Sequence, residues 1–147
     1  MLLDDVATYI AASTSHGLTV ATSAGGNLYK VPLPVAAPSG LCASIVEYGG
    51  APGIRVMSTG SLNAPIFENV TFQVMVRDNS TDFQAARNTV ESVYCALDGL
   101  ARTRLDGTTS GPIYDWIEAQ HQPYFLSYDE NGRPRFVVNF SARKERG

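Results

Sequence analysis

The sequence predicts an α+β domain with a small, mainly antiparallel sheet of about four strands and two helices packed on one face. Apolar residues recur at helical spacing in two segments, and they alternate with polar residues in the segments 67–77 and 136–142. The order helix, strands, helix, hairpin is typical of a sheet that carries its helices on one side. The 147 residues fit a single domain spanning 1–147.

The first helix is predicted from about Leu2 to Ala12, with Asp4 and Asp5 near the positive end of the helix dipole. The segment 18–40 is predicted to be mostly irregular, because three prolines in its second half remove backbone donors. Within it, residues 18–22 are apolar enough to form a short strand.

A strand is predicted from Leu41 to Tyr48, and a clearer one from Phe67 to Arg77, where apolar and polar residues alternate. Between them lies an irregular loop, 49–65, with room for a short strand at Ile54–Met57. A loop of this length within one domain usually has a function or is mobile.

The second helix is predicted from Asp82 to Leu97. Thr81 and Gln84 fit a capping box at its start, and Gly99 is suited to its C-terminal end.

Two further strands are predicted at Ile113–Gln120 and Phe136–Ala142, with the hairpin turn Asp129-Glu130-Asn131-Gly132 between them. The residues on the apolar face of each predicted helix and strand are expected to form the core. Its members are Phe72, Val74, Val76, Val90, Leu97, Val138 and Phe140.

Charge is unevenly distributed along the chain. The net charge is −3, which argues against a nucleic-acid-binding protein, yet five of the 11 basic residues fall in the last 15 positions. A basic C-terminal tail, 141–147, suits a head-to-tail contact between copies or a local anion contact; a solvated polar terminus is the alternative.

Cys42 and Cys95 are predicted to be buried free thiols, which fits synthesis in a reducing host cytoplasm. The N-terminus lacks the positive charge of a signal peptide, and no apolar run reaches membrane-spanning length. We therefore expect no membrane association.

Patterns that carry chemistry are missing from the sequence. There is no glycine-rich phosphate loop, and two histidines are too few for a typical zinc site. The calcium-loop spacing that starts at Asp129 would need an acid where Phe140 stands. Asp115 and Glu118, three apart on a strand, face opposite sides of the sheet. We expect no enzyme activity, no cofactor and no metal site.

Short sequence segments spread along most of the chain resemble those of a known phage family. They are Leu2-Leu3-Asp4-Asp5-Val6-Ala7, Leu33-Pro34, Glu47-Tyr48-Gly49-Gly50 with Pro52, Gln73-Val74-Met75-Val76-Arg77, Ala86, Val90, Leu97-Asp98-Gly99-Leu100, Ile117, Ala119, Pro123, Asp129-Glu130-Asn131-Gly132-Arg133, Phe136 and Asn139-Phe140. In order and spacing, the chain resembles the tail terminators, or minor capsid proteins, of long-tailed (siphovirus-type) bacteriophages. Residues 14–31, 54–65 and those after Phe140 match poorly.

The resemblance implies a lambda tail-terminator-like fold and a structural role in the virion. Such proteins form a ring, typically a hexamer, at the head-proximal end of the tail, stop polymerisation of the tail tube protein and join the tail to the stopper protein of the neck. Genomic DNA passes through the lumen without sequence-specific binding. Nothing catalytic is implied. Another neck component, such as a head-completion or stopper protein, and a monomeric ligand-binding α/β domain are the alternatives.

The two least regular regions, 49–65 and 141–147, are expected to contact other subunits, because an apolar loop and a basic tail suit a partner surface. The predicted interface residues are Ile54, Val56, Met57, Leu62, Arg77, Arg143, Lys144 and Arg146.

Overall fold

A computed structural model describes residues 1–13, 17–22, 25–34, 37–49, 66–79 and 82–145. These residues form two helices and seven strands. In chain order they are α1 (Leu2–Ser13), β1 (Leu28–Tyr29), β2 (Cys42–Glu47), β3 (Phe67–Arg77), α2 (Phe83–Leu97), β4 (Leu100–Thr103), β5 (Tyr114–Ala119), β6 (Tyr124–Tyr128) and β7 (Pro134–Glu145).

All seven strands belong to one mixed sheet, so the prediction of a small sheet of about four strands was wrong. The strand order is β1-β2-β3-β7-β5-β4, and β6 also pairs with β7. Among the seven strands of the described residues, β1 and β2 pair in parallel and the other strand pairs are antiparallel. The prediction omitted β1, β4 and β6 because two to five residues cannot establish an alternating pattern.

Strand β7 is the centre of the sheet. It pairs with β3 over the full length of that strand, from Phe67↔Glu145 to Arg77↔Arg135. On its other side it pairs first with β6 and then with β5, which lie end to end with register shifts in each pairing. The hairpin that includes the predicted turn at Asp129–Gly132 therefore joins β6 to β7, not β5 to β7.

The core lies between the sheet and the two helices, which contact the sheet and each other. All seven core residues predicted from the sequence are fully buried, so that prediction is confirmed. Phe72 and Phe140 stack across β3 and β7 with ring centroids 5.2 Å apart. At the other end of the core, Tyr114 donates a hydrogen bond of 2.7 Å to Asp5, which ties β5 to α1. Burial, together with the neighbouring Asp5 carboxylate, raises the pKa of the Tyr114 phenol.

Both helices have the predicted positions, with one change at the start of α2. The helix is capped by Asp82, whose carboxylate accepts a hydrogen bond from the backbone N–H of Ala85 at 3.2 Å. Asp82 rather than Thr81 is therefore the cap; Thr81 lies outside the described residues. Gly99, just beyond the helix, has φ of +81°, a conformation that favours glycine.

Cys42 is buried as predicted, whereas Cys95 is exposed on α2, which corrects its predicted burial. Neither helix of the described chain has the length and apolarity needed to cross a membrane.

Candidate interaction surfaces

Five of the eight predicted interface residues lie outside the described part of the chain. They are Ile54, Val56, Met57, Leu62 and Arg146. The short strand considered at 54–57 lies outside it as well. Arg77, Arg143 and Lys144 remain, all on the two longest strands.

Arg143 and Lys144 are engaged within the chain. The Arg143 guanidinium lies 5.6 Å from the ring centroid of Trp116 and 5.9 Å from that of Phe67, and its Nη1 is 3.7 Å from Asp115. The ammonium of Lys144 lies 3.6 Å from Glu68. The C-terminal half of β7 is therefore ordered strand rather than an irregular tail, and these two cations already have partners.

Arg77 lies at the opposite end of the sheet. It pairs with Arg135 on β7, eight positions from Arg143, which is a separation of about 27 Å along an extended strand. The three predicted cations therefore do not form a single surface.

Arg77 belongs instead to a cluster of charges beside the β6–β7 turn. Its side chain is only 7 % exposed; one guanidinium nitrogen donates to the Pro38 carbonyl and another lies 3.8 Å from Asp129. Asp129 also accepts a hydrogen bond of 2.7 Å from Arg133 Nε. The carboxylate is thus shared by two arginines.

Asp129 also builds the turn itself. Its Oδ1 accepts hydrogen bonds from the backbone N–H groups of Asn131 and Arg133, both at 2.9 Å. Partial burial disfavours its charged form, but the hydrogen bonds from Arg133 and Asn131 outweigh this and hold the Asp129 pKa below its ordinary value. Gly132, at φ of +70°, supplies the left-handed residue that the turn needs.

This arrangement predicts a pH-dependent contribution of Asp129 to stability. Asp129→Ala should lower the free energy of unfolding at pH 7 by about 2–3 kcal/mol, since charged hydrogen bonds are lost. Because the folded-state pKa is lowered, the stabilisation is complete above the unfolded value near 3.9 and disappears as the pH falls through the folded value. Urea unfolding should therefore show a smaller difference from wild type at pH 3.

The exposed neighbour Glu130 provides the control for that experiment. Glu130→Ala should change stability by no more than about 0.5 kcal/mol at either pH. An Asp129→Ala deficit that stays constant from pH 7 to pH 3 would show that the carboxylate charge is not what stabilises the turn.

A concave groove of about 550 Å³ lies between the segment 32–34 and the β6–β7 turn. Its lining combines apolar side chains, among them Met75 and Tyr128, with the guanidinium groups of Arg77, Arg133 and Arg135. We call it the arginine groove. The Nε atoms of Arg77 and Arg135 are buried and have no hydrogen-bond partner among the described residues.

Strand β6 presents an apolar surface at an open sheet edge. Its only partner strand among the described residues is β7. Four of its five residues are large, apolar or aromatic, and well exposed: Tyr124 at 46 %, Phe125 at 39 %, Leu126 at 45 % and Tyr128 at 56 %. We call this the β6 edge. An exposed apolar strand with unpaired backbone groups usually pairs with another chain or is protected by charge, and β6 itself carries no charged residue.

The β6 edge packs against the rest of the domain through Phe125. The Phe125 ring contacts those of Phe83, Phe136 and Tyr128 at centroid distances of 5.5, 5.7 and 5.0 Å. A rigid, partly exposed aromatic cluster of this kind is typical of the central residues of protein interfaces. In the sequence this cluster is marked by the uncharged run Tyr124–Tyr128, which does not alternate and so does not predict a strand.

The described part of the chain holds no group of three or more His, Cys, Asp or Glu side chains placed to share a metal ion. The two candidate interaction surfaces are the β6 edge and the arginine groove beside it.

Comparison with known proteins identifies the family. No curated protein matches the chain significantly. The family described as bacteriophage tail terminator protein matches residues 35–146, which include everything from β2 to β7. That match confirms the resemblance to tail terminators inferred from the short sequence segments, and the chain belongs to the bacteriophage tail terminator family.

Proposed function

We propose that the protein closes into a ring, a hexamer, at the head-proximal end of the phage tail, stops polymerisation of the tail tube protein and joins the tail to the neck. Membership of a structural phage family places it in the virion tail and supports a non-enzymatic role. The observation that carries the ring is the β6 edge, an exposed aromatic strand with one side unpaired among the described residues.

A ring requires two different, complementary surfaces on each subunit, related by a rotation that closes. One candidate surface is the β6 edge with the arginine groove beside it. Six basic and 13 acidic residues precede position 133, a balance of −7, whereas five basic and one acidic residue stand from position 133 onward, a balance of +4. A cationic groove on one copy and acidic residues on the next favour head-to-tail contact and disfavour like-to-like pairing.

The remaining parts of the proposal follow from the position of the ring. A closed ring at the tail end covers the last tube subunits and offers its other face to the stopper protein of the neck. Genomic DNA passes through the lumen without sequence-specific binding, which suits a chain of net charge −3. The chain is made in the host cytoplasm and then incorporated.

The test is the location and symmetry of the chain in the virion. Electron microscopy of purified virions should show one ring of this protein between tail tube and neck. Phage lacking it should produce tails of irregular, excessive length that do not join heads. Tails of normal length in its absence, or a ring placed on the head side of the stopper, would contradict termination and favour a different neck role.

A further inference from the structure

We propose that the arginine groove is a carboxylate-binding site, and that in the ring it receives an acidic side chain of the next copy of the chain. This inference rests on the proposed function, because the ring is what brings a second copy to this surface. It adds the chemistry of the contact: guanidinium groups on one subunit and a carboxylate on its neighbour.

The first support is that the positive charge of the groove is incompletely compensated. Arg77, Arg133 and Arg135 face two carboxylates, Asp129 and Glu130. The Asp129 carboxylate lies 2.7 Å from Arg133 but 3.8 Å from Arg77, which is too far for a good charged hydrogen bond. Among the described residues, Arg77 therefore has only a distant anion that it shares with Arg133, so a further carboxylate would bind favourably.

The second support is the placement of two arginines side by side. Arg77 and Arg135 both line the groove, and their Nε atoms are buried without an acceptor among the described residues. Arg77 and Arg135 are cross-strand partners on β3 and β7, so their side chains lie side by side. Two adjacent guanidinium groups match the two oxygens of one carboxylate.

The third support is the shape and surroundings of the groove. Prolines at 32 and 34, Met75 and Tyr128 form apolar walls around the arginines, and the volume of about 550 Å³ lies within the usual range for binding sites. Apolar walls lower the local dielectric, which strengthens an ion pair formed beside them. The site therefore suits a carboxylate carried on an extended segment with an apolar neighbour.

Two observations indicate that the occupant is a second copy. The chain before position 133 carries a balance of −7, so another copy offers the complementary charge. Tyr128 belongs both to the groove and to the β6 edge, so a subunit that pairs with the edge also covers the groove.

The experiment combines substitution with cross-linking in the full chain. Arg135→Gln removes one guanidinium and should weaken self-association at least about 10-fold, measured by sedimentation over a concentration series. Arg135→Lys keeps the charge but loses the planar donor pair, so it should weaken association less.

Arg135 also donates a hydrogen bond to the Ser127 hydroxyl within the chain. Ser127→Ala removes that internal bond and leaves the guanidinium in place, so it should weaken association less than Arg135→Gln does. If Ser127→Ala and Arg135→Gln weaken association equally, the arginine acts by supporting its own hairpin, and the carboxylate site is refuted.

A photo-crosslinking amino acid in place of Tyr128 identifies the occupant in wild-type assemblies and in virions. The expected product joins two copies, with the cross-link mapped beside an Asp or Glu. A ring without that cross-link, or a cross-link to the tube or neck protein, overturns this inference but leaves the proposed ring intact. A chain that is monomeric in solution and absent from the tail end overturns both.

Discussion

Phe140→Ala is expected to lower the free energy of unfolding by about 3–5 kcal/mol, the range for removing a fully buried phenylalanine. Phe140 has no exposed surface and stacks on Phe72 at 5.2 Å, in the centre of the β3–β7 pairing. The alanine leaves a cavity that strands fixed by pairing on both sides of β7 cannot close, so the loss should fall toward the upper end.

Urea unfolding monitored by circular dichroism measures this loss. Phe140→Leu is the matched control, because it keeps most of the apolar volume and should cost less than about 1.5 kcal/mol. If Phe140→Ala costs under about 1 kcal/mol, Phe140 does not have the central packing role assigned to it.

The sequence predicted those parts of the fold that have long, regular patterns. In β3, Val70, Phe72, Val74 and Val76 occupy every second position, and α2 keeps one apolar stripe over 15 residues, so the sequence predicts both elements and their buried faces. Burial of Phe72, Val90 and Phe140 followed from the same periodicity.

The short strands could not be predicted in this way. Strand β1 has two residues and is specified by its parallel pairing with β2, which depends on tertiary structure. Strand β6 carries large apolar or aromatic side chains at successive positions. It therefore lacks the apolar–polar alternation that indicates a strand. The sequence predicts the hairpin turn at Asp129–Gly132 but not the strand that leads into it.

The sequence predicted the surroundings of the proposed interface residues less well than it predicted the core. The sequence predicts Arg77 at an interface because it lies on the mixed face of the strand Phe67–Arg77. The structure places it in a groove with Arg135, a residue that sequence spacing alone does not connect to it. Arg143 was selected for its place in a basic terminus, yet it packs against Phe67 and Trp116. A charge count detects basic residues but not whether their partners lie within the same chain.

Leu126→Lys is expected to abolish ring formation, with self-association weakened more than about 100-fold, since a lysine would have to be buried in the contact without a partner. Leu126 lies in the middle of the β6 edge and is 45 % exposed in the single chain. A charged residue at this position is also the device by which natural proteins prevent edge-to-edge pairing. The stability of the monomer should change by no more than about 0.5 kcal/mol, as for most surface substitutions.

Two measurements decide the outcome of this substitution. Light scattering at concentrations where the wild type assembles should give only the monomer mass, and phage supplied with only the variant should yield few joined particles. Asn88→Lys introduces the same charge on the exposed side of α2 and is the matched control, expected to assemble normally. Rings formed by Leu126→Lys as readily as by wild type would exclude the β6 edge from the subunit boundary, and the ring would then need a different pair of surfaces.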